Sequence, residues 1–167
     1  MSRRTIRWIL PLLGVAAIGA GAAMAATTAT HSSAGTVSVA KSSKYGMVLV
    51  SSSGRTLYRY TPDSKGHNTC TGSCGTYWPA YMVKGKAKPT AGSGASAALV
   101  GTIKHGKGLQ VTYAGYPLYT YVGDTKAGQV NGEGKEKTWY VVDTKGALVK
   151  KAVASTGGTT TSKSAWG

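Results

Sequence analysis

Leu57-Tyr58-Arg59-Tyr60-Thr61-Pro62-Asp63 returns as Leu118-Tyr119-Thr120-Tyr121-Val122-Gly123-Asp124, with a constant offset of 61 residues from Asp63 to Asp124. The same offset lays Gly54 on Gly115, Val50 on Val111, Lys65 on Lys126 and Trp78 on Trp139 without a gap. This period of 61 exceeds the ~20–50 residues of solenoid and blade repeats, so each copy reads as half of one domain. Within each copy the two tyrosines stand two residues apart. A strand therefore puts Tyr58 with Tyr60, and Tyr119 with Tyr121, on one sheet face and turns Leu57 and Leu118 to the other.

Working outward from the motif, Val37 and Val39 alternate with polar neighbours, Met47 to Val50 form an apolar run, and Thr56 to Tyr60 alternate again. Trp78 to Val83 is a fourth candidate strand, which Pro79 pushes toward an edge or a strand end. The second copy repeats the scheme over Leu99 to Ile103, Leu109 to Tyr113, Leu118 to Tyr121 and Trp139 to Val142. Gly54 and Gly115 fall at matched hairpin turns. No stretch after the leader holds a helical period, and 24 glycines punctuate short strands, so the expected class is all-β. Two pseudo-symmetric repeats of about four strands would pack as one sandwich- or barrel-like domain. Phenylalanine is absent, which leaves Val, Leu, the ten tyrosines, Trp78 and Trp139 to fill the core.

Residues 1–25 read as an export signal: Arg3, Arg4 and Arg7 lead an apolar stretch from Trp8 to Gly21, and Ala23-Met24-Ala25 makes a small-x-small cleavage site. The uncharged run from Trp8 to Ala26 also just reaches the ~18 residues of a membrane anchor, the alternative to cleavage. Arg3-Arg4 partly resembles a twin-arginine export motif, with Arg7 where that motif expects an apolar residue. The expected organisation continues with a disordered leader at 26–35 and a single β domain at 36–151. Its repeats lie at about 37–85 and 98–146 with a linker at 86–97, and a disordered tail covers 152–167. The formal charge of +15 becomes +12 when Arg3, Arg4 and Arg7 leave with the leader, and lysine supplies nearly all of it. Such a surface attracts anionic envelope polymers or acidic lipid headgroups in a salt-dependent way. Nucleic acid is not expected of an exported chain without an RNA-binding signature.

Asp63 and Asp124 are two of only five acidic residues in this lysine-rich chain. An Asp just beyond a strand accepts bonds from turn amides, and a neighbouring Tyr hydroxyl adds a charge-assisted bond of about 1.5–3 kcal/mol. The alternative is a carboxylate pair meeting across a pseudo-twofold axis for glycoside hydrolysis, which needs a separation of about 5–9.5 Å in an aromatic cleft. Cys70 and Cys74, the only cysteines, are expected to form a disulfide in an oxidising compartment. A metal or redox site built on Cys70, Cys74 and His67, with His105 and Met82 in reach, is the competing reading. Cys-x3-Cys with one near His falls short of a zinc set, and two cysteines compete at a copper site. No nucleophile elbow, phosphate loop or His-Glu-x-x-His is present, and no cofactor is called for.

Gly54-Arg55-Thr56-Leu57-Tyr58-x-Tyr60-x-x-Asp63, Cys70-x-Gly72-x-Cys74-x-x-x-Trp78-Pro79 and Gln110-Val111-Thr112-Tyr113-x-Gly115-x-Pro117-Leu118-Tyr119-x-Tyr121-x-x-Asp124 together resemble the bacterial family of predicted lipoproteins and secreted repeats with the Y-x-[FWY]-x-x-D motif. The resemblance runs from about Val48 to Asp143. It implies an exported envelope protein of two related repeats, the first carrying a cysteine pair, with no established activity. No Cys lies near the cleavage site, so lipid anchoring is not expected. The leading functional reading is a secreted or envelope-held, non-enzymatic binding module. The alternatives are a metal or redox protein using the cysteine pair and a carbohydrate-active enzyme using Asp63 and Asp124.

Overall fold

The computed structural model describes residues 35–85 and 87–153. The expectations for residues 1–34 and for 154–167 lie outside the described residues. Strand β1 (Thr36–Ser42) pairs antiparallel with β2 (Gly46–Ser51), Val37 opposite Ser51 and Ser42 opposite Gly46. β5 (Val100–His105) and β6 (Gly108–Tyr113) form the corresponding hairpin of the second repeat, Val100 opposite Tyr113. The motif strand β3 is Tyr58–Tyr60, β7 is Tyr116–Pro117, and β8 is Trp139–Val141. With β4 at Thr90–Ala91, the class is all-β, in three small sheets ordered β2-β1-β4, β3-β8 and β5-β6-β7.

The repeats exchange partners. β3 of the first repeat pairs with β8 of the second, Tyr58 opposite Val141 and Tyr60 opposite Trp139. Reciprocally, Tyr119 of the second repeat lies opposite Ala80 of the first, and the Thr120 amide donates to the Pro79 carbonyl at 3.0 Å. The exchange reaches the hairpins as well: the Leu49 amide donates to the Val142 carbonyl, and the Val111 amide to the Tyr81 carbonyl. At the centre of this approximate twofold, Tyr58 and Tyr119 trade backbone bonds in both directions, at 2.9 and 3.0 Å.

Two cores follow from the period-2 alternation. Val37, Leu49, Leu57, Val83, Val111, Tyr113, Leu118 and Val142 form one, and Val48, Val50, Tyr58, Cys70, Trp78, Tyr119, Trp139 and Val141 form the other. Leu57 and Leu118 thus face away from Tyr58 and Tyr119, as the alternation requires. β2 supplies both cores, Leu49 to one and Val48 and Val50 to the other, which explains its unbroken apolar run.

The structure departs from the sequence reading in four places. The offset is not gapless: Leu57 donates to the carbonyl of Leu49 while Leu118 donates to that of Val111, so Val111 is the counterpart of Leu49 rather than of Val50. The first repeat carries one more residue in its hairpin turn. The shorter turn closes with Tyr113 opposite Tyr116, leaving Ala114 and Gly115 at φ of 51° and 85°, the left-handed pair a two-residue turn needs. Within the stretch read as a linker, β4 (Thr90–Ala91) pairs parallel with β1. A single helical turn, α1 (Ser73–Tyr77), precedes Trp78, too short to show any period in sequence. Finally, two expected strands are not continuous: Trp78 to Val83 is held by separate pairings at Ala80 and Met82, and Leu118 to Tyr121 by pairings at Tyr119 alone.

Candidate functional site

The motif polar groups form two brackets, each shared between the repeats. The Tyr58 hydroxyl donates to Asp124 Oδ2 at 2.6 Å, and the Tyr119 hydroxyl donates to Asp63 Oδ2 at 2.6 Å. Each aspartate spends its other oxygen on its own loop. Asp63 Oδ1 accepts from the Thr69 amide and hydroxyl, both at 2.7 Å, and Asp124 Oδ1 accepts from the Asn131 amide at 2.8 Å. The turn-amide role expected of Asp63 and Asp124 is observed, but the tyrosine comes from the other repeat. Burial, reinforced by the hydrogen bond to Asp124, pushes the Tyr58 hydroxyl far above its ordinary pKa, and burial with Asp63 does the same for Tyr119. Both phenols therefore stay protonated and keep donating.

The second tyrosine of each motif joins a column of rings. Trp78 and Trp139 stack at 3.8 Å between centroids and 4° between planes. Tyr60 covers the outer face of Trp139 at 4.3 Å, and Tyr121 covers Trp78 at 4.4 Å. Tyr58 and Tyr119 meet the tryptophans edge-on, at 5.4 and 5.2 Å. Six rings at matched positions thus pack about the twofold, stacked along the column and edge-on beside it. Gly132 makes room for them: a Cβ there would lie 2.7 Å from the Trp78 ring and 2.9 Å from that of Tyr58.

Cys70 and Cys74 are joined in a disulfide, with Cα atoms 5.3 Å apart, so neither offers a thiolate to a metal. Among the described residues no three His, Cys, Asp or Glu side chains gather as a metal set. His67 is exposed in a tight turn with Ser64, and the His105 ring is hydrogen-bonded to Asn68, which also donates to the buried Gln110 at 2.7 Å. Met82 lies opposite Gln110.

Two surface clefts open beside the stack. One, of about 310 Å³, is lined by Tyr60, Ser73, Cys74, Tyr77, Trp78 and Glu136; the other, of about 190 Å³, by Tyr77, Trp78, Tyr121, Lys135 and Glu136. Neither Asp63 nor Asp124 lines them. Tyr77, Lys135 and Glu136 had no place in the sequence reading. The available signals were the position of Tyr77 next to Trp78 and the scarcity of acids, of which Glu136 is one.

A family model described as a secreted repeat of unknown function matches residues 39–82 and again 101–143, one match per repeat. The chain belongs to this family of secreted repeats. The matched segments end at Met82 and Asp143, so each spans one motif and the segment that the repeat lends to its neighbour. Comparison with curated proteins and with solved structures found no match. No helix of the described residues is long and apolar enough to cross a membrane.

Proposed function

We propose that this secreted-repeat protein is a non-enzymatic binding module, held at the cell envelope by attraction between its lysines and anionic envelope polymers. The observation that carries the reading is how the polar groups divide. The motif carboxylates and the Tyr58 and Tyr119 phenols are consumed in the internal brackets, whereas every lysine among the described residues is exposed. Arg55 and Arg59, by contrast, are half-buried and bond inward, Arg55 to the Tyr121 carbonyl and Arg59 to that of Gly146. Lysines that face water, engaged at most by a tyrosine ring as Lys65, Lys135 and Lys150 are, form a diffuse positive field, which binds polyanions with little geometric selectivity. The metal and glycosidase alternatives both need groups that are already engaged, the cysteines in a disulfide and the aspartates in the brackets.

The test is retention of the purified protein on anionic envelope polymer, measured against ionic strength alongside anionic and neutral lipid vesicles. Binding to the polymer should weaken steeply as salt screens the field over about 8–10 Å. Salt-independent retention would contradict the reading, and a preference for vesicles over polymer would replace the polymer with a lipid surface.

A further inference from the structure

The larger cleft beside the ring stack differs from its surroundings in charge. Of the five acidic side chains, Asp63, Asp124, Glu133 and Asp143 all accept hydrogen bonds within the fold. Glu136 accepts none among the described residues, and it lines the cleft with Tyr60, Tyr77 and Trp78. Its backbone sits at φ 53°, and that of Lys137 at 58°, in the left-handed region that non-glycine residues rarely adopt. The loop thus bears conformational cost where it brings Glu136 to the aromatic walls. Tyr77, 62% exposed, is the most exposed large hydrophobic side chain described, and it lines the same cleft.

The internal symmetry shows what is missing there. On the Tyr121 side, the Lys135 ammonium stands 5.7 Å from the ring centroid, so that end of the stack carries its own cation. Counting back four residues from each stacked tryptophan, Lys135 before Trp139 corresponds to Cys74 before Trp78. Cys74 is tied into the disulfide and lines the cleft on the Tyr60 side, where no lysine or arginine does. Lys137 is not among the lining residues; its carbonyl accepts from the Tyr140 hydroxyl.

We propose that this cleft binds an alkylammonium group, which takes up against Tyr60 and Tyr77 the position that Lys135 holds against Tyr121, and pairs with the Glu136 carboxylate. Aromatic faces attract such a cation through their quadrupoles, and a single carboxylate adds the charge selectivity that excludes neutral ligands. The volume of about 310 Å³ sits at the lower end of the range of about 300–1,000 Å³ for small-ligand sites, enough for a headgroup and little more. The site is independent of the lysine surface: it takes the opposite charge, and loss of polymer binding would leave it untouched.

The experiment is an NMR titration of the full chain at constant ionic strength, following the Trp78 indole and Tyr77 ring resonances. Three probes are compared: tetramethylammonium, the primary ammonium of an Nα-acetyl-lysine amide, and the neutral isostere 3,3-dimethylbutan-1-ol. Saturable shifts with at least one cation are expected, with Kd on the order of 1 mM, and the stronger of the two identifies a quaternary or a primary ammonium. Glu136→Gln, which keeps shape and backbone, should weaken that binding about 10-fold, Tyr77→Ala should weaken it too, and the remote Lys126→Gln should leave it unchanged. Equal shifts with the neutral isostere, an unchanged affinity in Glu136→Gln, or no saturable shift with either cation would overturn the proposal.

Discussion

The loops that lead to Trp78 and to Trp139 perform the same task with different chemistry. In the first repeat, the Cys70–Cys74 disulfide and the turn of α1 bring Trp78 to the stack. In the second there is no covalent link. The Gly132 amide donates to the Tyr58 hydroxyl at 3.2 Å, the Gly134 amide to the Trp139 carbonyl at 2.8 Å, and the chain takes left-handed steps at Gly134, Glu136 and Lys137. The shared part is the bracket and the stack, so those are what the fold requires. The closing loops are free to differ, and the cleft lies where they do.

Removing a bracket carboxylate should have the largest effect. Asp124→Ala strands a buried phenol and the Asn131 amide, and Asp63→Ala strands a phenol and both donors of Thr69. Each is expected to cost about 3–5 kcal/mol in urea unfolding, because charged acceptors and buried unpaired donors both weigh heavily. A loss confined to one of the two variants would break the equivalence of the brackets. Glycine comes next and should separate the loops. Gly132→Ala drives a methyl into Trp78 and Tyr58 and should cost about 2–3 kcal/mol. Gly72→Ala meets nothing within 4 Å and bears only its backbone, φ 58° with ψ −128°, so about 1–2 kcal/mol is expected in the same assay.

Reduction of the disulfide should cost about 2 kcal/mol, since it closes a short ring, and should appear as a modest drop in Tm with reductant. The whole effect belongs to the first repeat. The smallest prediction concerns the second. Burial pushes Glu133 up to about 7 from 4.5, against the Val141 amide that donates to it at 2.6 Å and pulls it down. The folded state therefore holds more protons between those values. This contribution is fully present below the unfolded value, is lost as pH rises through the window, and is flat above it. Half-exposed and screened, it should amount to on the order of 1 kcal/mol. Comparing urea midpoints of the wild type and Glu133→Gln near pH 5 and pH 8 isolates it, and a difference that does not change with pH would remove Glu133 as the cause.

The motif made the local layout readable. Tyr-x-Tyr with a preceding Leu divides the rings and the leucines between opposite faces, and Leu57 and Leu118 lie in the core opposite Tyr58 and Tyr119. The exchange of partners was not readable, because an offset shared by both copies is the same whether Tyr58 bonds to Asp63 or to Asp124. The gapless alignment also concealed the extra hairpin residue before Thr56, since the shift lies upstream of the motif, in β1 and β2 against β5 and β6, and the motif re-enters register at once. The cleft depended on a feature sequence patterns do not mark: Glu136 and Lys137 hold left-handed backbone without being glycine.

Partner exchange also bears on how the chain comes into being. The bracket bonds join residues 66 and 56 positions apart, and the first repeat contains only half of each. A polypeptide made or threaded N-terminus first brings out Tyr58 and Asp63 long before Tyr119 and Asp124. Until the second half emerges, the first can close neither its ladder nor its ring stack, so contacts this far apart make folding a late and nearly all-or-none event. The smallest self-sufficient unit is a pair of repeats, and a chain of this kind stays pliable until its last strand is in the open.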